Sequence, residues 1–112
     1  MNIKKTLEDA KIQLLAGEEF KKIEGYDYLI SNYGRVISLN FRRMKIVAEI
    51  KPNKNTKGYW KVGLWKKGEK QKVMLIHRLV AEHFLEKIEG LYTVGFKDGD
   101  INNFKLENLY WK

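Results

Sequence analysis

The sequence contains no cysteine and a single proline, Pro52. Without thiols the chain can form neither disulfide bridges nor a thiolate zinc site, which fits a reducing compartment. No apolar run approaches the roughly 18 residues that a membrane span requires. The N-terminal stretch MNIKKTLEDAKIQLL places acidic and polar residues where a signal peptide needs an unbroken apolar core. A cytoplasmic protein is expected. Acid is also scarce relative to base: 14 Asp and Glu stand against 22 Lys and Arg, for a net charge of +8 and a pI near 9.6. That balance favours an anionic partner such as nucleic acid, although a merely soluble basic protein can share it.

What is present suits one small folded domain. The 112 residues are 44% hydrophobic and 12% aromatic, enough apolar surface for a modest core without staples. Residues 6–16, TLEDAKIQLLA, have helical apolar spacing, a capping-box pair in Thr6 and Asp9, and Gly17 placed to end a helix. They predict an N-terminal amphipathic helix within 1–17. YDYLISNYGRVISLN alternates on either side of Asn32-Tyr33-Gly34, as a β-hairpin does when glycine supplies the positive φ of its turn. A strand over 44–50 follows, then a basic, Asn-rich loop holding Pro52.

YWKVGLW and KVMLI, separated by KKGEKQ, predict a second hairpin with Trp60, Val62 and Leu64 on one face and Tyr59, Lys61 and Trp65 on the other. The second face is both aromatic and basic. It can stack on bases or line a groove, or it can be a solvated face with rings tucked under lysine stems. From Ile76 the period becomes helical, with Ile76, Leu79, Val80, His83 and Phe84 on one face. The last segment, 91–111, reads as a strand, a KDGD turn and a polar stretch ending in Leu109 and Trp111. The fold class expected is α+β, with antiparallel hairpins, a helix packed on them and a C-terminal hairpin.

Three blocks in order resemble the phage and mobile-element HNH homing endonucleases that carry an N-terminal DNA-binding module. They are EEFKKIEGYDYLISNYGRVISLN (18–40), IKPNKNTKGYWKVGLWKKGEKQKVMLIHRLVAEHFL (50–85) and VGFKDGDINNFKLENLYW (94–111). The resemblance implies a single domain over 18–112: a module-like part at 18–49, a hairpin plus helix at 50–86, and a ββα-metal motif at 91–112. In that family the strand after the helix usually reads Val, then Asn or Asp, then His. The His is the general base, its neighbour commonly helps hold one divalent ion, and a residue beyond the Leu-Trp stretch completes the site. Here Val94, Gly95 and Phe96 stand in those positions and the sequence ends at Lys112, so the resemblance implies a degenerate, curtailed motif. Phenylalanine neither accepts a proton nor binds a hard cation.

No catalytic residue, metal ligand or cofactor is therefore assigned. Asp98, Asp100, Asn102, Asn103 and Asn108 are oxygen donors that could hold Mg²⁺ for residual nicking, but Asp-Gly and Asn residues are also turn formers that bond their own backbone. His77 and His83 lie six residues apart, not at the i, i+4 spacing of a metal pair on a helix. The basic residues Arg35, Arg42, Arg43, Lys45, Lys51, Lys54, Lys57, Lys61, Lys66, Lys67, Lys70 and Lys72 cluster in the hairpins and the loop joining them, the parts with which the family grips DNA. With Tyr59 and Trp65 they form the candidate nucleic-acid surface, the partner being duplex DNA and the host cell cytoplasm the compartment if the protein is phage encoded. The alternative is a phage protein that reuses the scaffold to bind a host protein, such as a defence nuclease or the transcription machinery. Trp65, Tyr92, Phe96 and Tyr110, with Tyr59, are its candidate anchors.

Overall fold

The computed structural model describes residues 1–42 and 44–112. Nine short strands, two α-helices and one 3-10 turn occur among them, in the order α1 (Ile3–Asp9), β1 (Phe20–Lys22), β2 (Tyr28–Ser31), β3 (Val36–Phe41), β4 (Ile46–Ile50), β5 (Asn53–Lys54), β6 (Trp60–Leu64), β7 (Lys72–Leu75), α2 (Ile76–Phe84), β8 (Val94–Phe96), the 3-10 turn Leu106–Asn108 and β9 (Leu109–Trp111). All strand pairing is antiparallel: β1-β2-β3-β4 form one sheet, β5-β6-β7 a second, and β8-β9 a two-stranded ribbon. The class is α+β, as the residue pattern predicts.

Helix α2 sits at the centre. Its Ile76, Leu79, Val80 and Ala81 are buried and meet side chains from all three sheets: Tyr28 and Ile30, Val62 and Leu64, Val94 and Leu109. Strand β2 is buried along its whole length because both of its faces are covered. Tyr28 and Ile30 point into the α2 core, while Leu29 joins Ile37, Phe20 and Leu7 beneath α1. Lys21 reaches across to donate to the carbonyl of His83 at 2.8 Å, and its ammonium lies 4.7 Å from the Phe84 ring centroid. A cation thus sits at the C-terminal, electronegative end of α2.

The first hairpin turns as its residues require. Gly34 has φ +84°, and a Cβ there would lie 2.2 Å from the Phe104 ring, so both backbone and space demand glycine. Ser31 Oγ accepts from the amides of Tyr33 and Arg35, and Asn32 bonds the backbone of Glu19 and Gly17.

The N-terminal helix departs from expectation. It spans Ile3–Asp9 and is capped by Asn2, whose side chain accepts from Lys5 N, rather than running over 6–16 from Thr6 to Gly17. Residues 13–17 leave the helix because tertiary partners take their backbone groups. The carbonyl of Gln13 accepts from Arg35, that of Ala16 from the Tyr33 hydroxyl and that of Gly17 from Asn32, while Leu15 N donates to Glu18. Lys11, at φ 58°, reverses the chain before them. No helix among the described residues is long and apolar enough to cross a membrane.

Candidate functional site

Two regions carry the candidate residues. The first is an open groove of about 1160 Å³ between the four-stranded and three-stranded sheets, with Arg42, Lys51, Trp65, Lys66 and Lys67 along it. Trp65 is 57% exposed, while its backbone N–H is held by the Tyr28 hydroxyl at 3.1 Å. The Lys66 ammonium lies 5.3 Å from the Tyr26 ring centroid and Arg42 lies over Phe41 at 5.1 Å. Both cations therefore rest on aromatic faces with their charge still in water.

Other members of the set lie apart from the groove. Lys61 Nζ donates to Asn53 Oδ1 at 2.7 Å across the β5-β6 pair, and Lys54 lies over the Trp60 ring at 5.0 Å. Lys45, Lys57, Lys70 and Lys72 are exposed on turns and at a strand start. Arg43 lies outside the described residues.

Arg35 is tied into the fold. Its two terminal nitrogens bind Glu18 at 2.6 Å and Glu49 at 2.9 Å, and one also donates to the Gln13 carbonyl. Burial works against its charge, but the Glu49 hydrogen bond and the Glu18 field outweigh it and raise its pKa above the ordinary value. Only 20% of its side chain is exposed, and the fold itself engages its charge. Tyr59 packs beside His77 and Phe96, away from the groove that holds Trp65. Strand alternation puts both side chains on one side, but Tyr59 lies where α2 and β8 close over it.

The second region is built around Phe96. Its ring centroid lies 5.0 Å from that of His77 and 6.3 Å from that of Tyr59, and Tyr59 and His77 are 5.3 Å apart. His77 is 8% exposed. Burial, with the nearby charge of Arg78, pushes its pKa below the ordinary 6.5, so the imidazole is neutral near pH 7. Next to Phe96, Gly95 faces Tyr110 across the ribbon, and a Cβ on Gly95 would lie 2.5 Å from the tyrosine Cζ. The tyrosine ring occupies the space that any larger residue at position 95 would need.

The NUMOD4 motif model matches residues 18–65. The chain is 40% identical to DNA endonuclease I-HmuI of Bacillus phage SP01 over 95 residues, covering 83% of this chain and 51% of that one. It is 34% identical to an uncharacterized HNH endonuclease, L247, of Acanthamoeba polyphaga mimivirus over 105 residues, covering 93% of this chain and 25% of that protein. A solved structure described as DNA binding and cleavage by the HNH homing endonuclease I-HmuI superposes with a TM-score of 0.70 at 40% identity, over 84% of this chain and 52% of that chain. The chain belongs to the HNH homing endonuclease family. It spans about half the length of I-HmuI and a quarter of the mimiviral protein.

Within this HNH-family chain the NUMOD4 match covers the first hairpin, the loop and strand β6. Beyond Phe96 the family's polar turn is closed on itself. Asp98 Oδ1 accepts from Asp100 N and Asn108 Nδ2, and Oδ2 accepts from Asn103 Nδ2. These bonds, with Asn103 first, hold the Asp98 carboxyl below its ordinary pKa. Asn108 is buried and also accepts from Asp98 N. Of the aromatic anchors, Tyr92 is 67% and Tyr110 41% exposed, while Phe96 is half-buried. Residue reading missed Tyr26 and Gln71 as groove residues, and the pairing of Gly95 with Tyr110. The alternation of GLYTVGF against ENLYW is the signal that could have placed a tyrosine opposite the glycine.

Proposed function

We propose that this chain is a catalytically inactive HNH-endonuclease-like protein that binds duplex DNA through its basic β-hairpins. The surroundings of Phe96 carry the reading. In the general-base position implied by the family resemblance, a phenyl ring packs against a neutral imidazole and a tyrosine. The neighbouring position, where the family commonly has a metal-holding Asn or Asp, is a glycine covered by Tyr110. A divalent ion of the Mg²⁺ type needs oxygen donors at about 2.1 Å. Positions 95 and 96 supply no side-chain oxygen, and the turn directs two hydrogen bonds to Asp98 Oδ1 and one to Oδ2. Gly95 and Phe96 do not fit the ligand and base roles that the family resemblance implies for a divalent ion.

The binding part has the opposite character. Among the described residues of the basic set, the one ion pair besides those of Arg35 is Lys66 with Glu69, at 4.0 Å and well exposed. Lys61 is half-buried on Asn53, and apart from Arg35 the other described charges of the set are exposed and available to phosphates. If six of them reach phosphates, log affinity falls against log salt with a slope of about −5. A two-stranded ribbon fits the major groove, and Arg42 and Arg43 are the side chains assigned to base edges.

The test is a gel of purified protein with supercoiled plasmid, with and without Mg²⁺ or Mn²⁺. A salt-sensitive shift without nicking is expected. Metal-dependent nicking would overturn inactivity, and loss of that nicking in Asp98→Ala would locate a relocated ligand set. Neither shift nor nicking would turn attention to a host-protein partner. Joint alanine replacement of Arg42 and Arg43 that left affinity and salt slope unchanged would remove this surface.

A further inference from the structure

The groove between the two larger sheets has a character that duplex binding alone does not use. At about 1160 Å³ it exceeds the roughly 300–1,000 Å³ of small-molecule sites, which are mostly apolar. Its size and openness suit a length of chain. Arg42, Lys51, Lys66 and Lys67 line it against one acid, Asp27, so that chain is an anionic polymer. Trp65 adds an exposed indole on an anchored backbone, and Tyr26 lies nearby under Lys66. Gly63 keeps the wall low enough for the Gln71 amide to lie across it, since a Cβ there would come within 2.0 Å of Nε2.

Bases within a duplex stack on one another and show only their edges to a protein. An indole face finds a partner only where a base is unpaired. Cations along a groove with aromatic faces among them are the combination that holds single strands.

We infer that this groove binds a single nucleic-acid strand, with Trp65 stacking on an unpaired base and the four cations following the phosphates. The inference rests on the nucleic-acid-binding reading above and deepens it.

The experiment is fluorescence anisotropy of the full chain with a labelled oligothymidylate and, separately, a labelled duplex in the same low-salt buffer. Wild type binds the oligothymidylate. Trp65→Ala weakens that binding about tenfold, within the range of one lost base stack, and weakens duplex binding by a clearly smaller factor. Trp65→Phe restores most of it. Trp65 is exposed, so both variants keep the fold, with circular dichroism as the check. Duplex binding without oligothymidylate binding, or equal affinity of Trp65→Ala and wild type for the single strand, overturns the groove inference and leaves the duplex reading standing. Failure to bind either probe removes both.

Discussion

Replacing Arg35 by Gln tests whether this cation serves the fold. Its partner Glu18 has a side chain with no exposed surface, and Oε2 of that carboxylate is buried with no hydrogen-bond partner. Removing the guanidinium leaves a buried carboxylate whose charge, among the described residues, is met only by the Leu15 amide at 3.1 Å. Breaking one side of such a pair costs about 3–5 kcal/mol. The Glu49 side chain is 47% exposed, and its bond to Arg35 is worth at most about 1 kcal/mol. Against a total stability of about 5–15 kcal/mol, Arg35→Gln removes a large share and Glu49→Gln a small one. With a urea slope of about 1.5 kcal/mol per molar, the Arg35→Gln midpoint falls by roughly 2–3 M. Adding Glu18→Gln recovers much of that loss, because the buried charge goes too. Urea melts of the wild type, the Arg35→Gln, Glu18→Gln and Glu49→Gln single variants and the Arg35→Gln/Glu18→Gln double variant measure this. An Arg35→Gln cost no larger than that of Glu49→Gln, or a double variant as unstable as the sum of its singles, would refute the assignment.

Three further outcomes follow from the geometry. The depressed pKa of His77 means that the unfolded chain takes up a proton before the fold does. The stabilisation from its neutral form is therefore full above pH 6.5 and declines as pH falls from there toward the folded-state pKa; thermal melts from pH 8 to 5 should show that decline, and His77→Phe should flatten it. Lys21→Met keeps the stem beside Phe84 but removes the cation from the end of α2, at a cost of about 0.5–1 kcal/mol in calorimetry; an unchanged melting temperature would dismiss the cap. Gly95→Ala costs about 1 kcal/mol, at the low end of overpacking because the ring of Tyr110 is half-exposed and can turn. The cost disappears in a Tyr110→Ala background, and equal costs in the two backgrounds would exclude the coupling.

Hydrophobic period and turn residues located the hairpin around Gly34, strand β4, the β6-β7 hairpin and α2, since each is a local pattern whose apolar face must be buried. The helix at 6–16 was misplaced for the converse reason. Its capping signals are local, but the backbone groups of 13–17 bond to Arg35, Tyr33, Asn32 and Glu18, and most of these partners are distant in sequence. The family was legible because three ordered blocks keep their spacing, and Phe96 stood out as the departure within them. The basic character of the chain could be counted from composition. Which charges stay free was decided in three dimensions: Arg35 is bound by two carboxylates, while Arg42, Lys51 and Lys67 line a groove.

Sequence thus determined the class of fold, the hairpins and α2, and that a phenylalanine without acid-base chemistry stands at position 96, because these depend on residue type and near-neighbour period. Tertiary structure alone decided that Tyr59 leaves Trp65 for His77 and Phe96, that Tyr110 fills the space above Gly95, and that two sheets frame a groove. Each of these is a meeting of side chains from separate elements, and packing around α2 sets the distances between them.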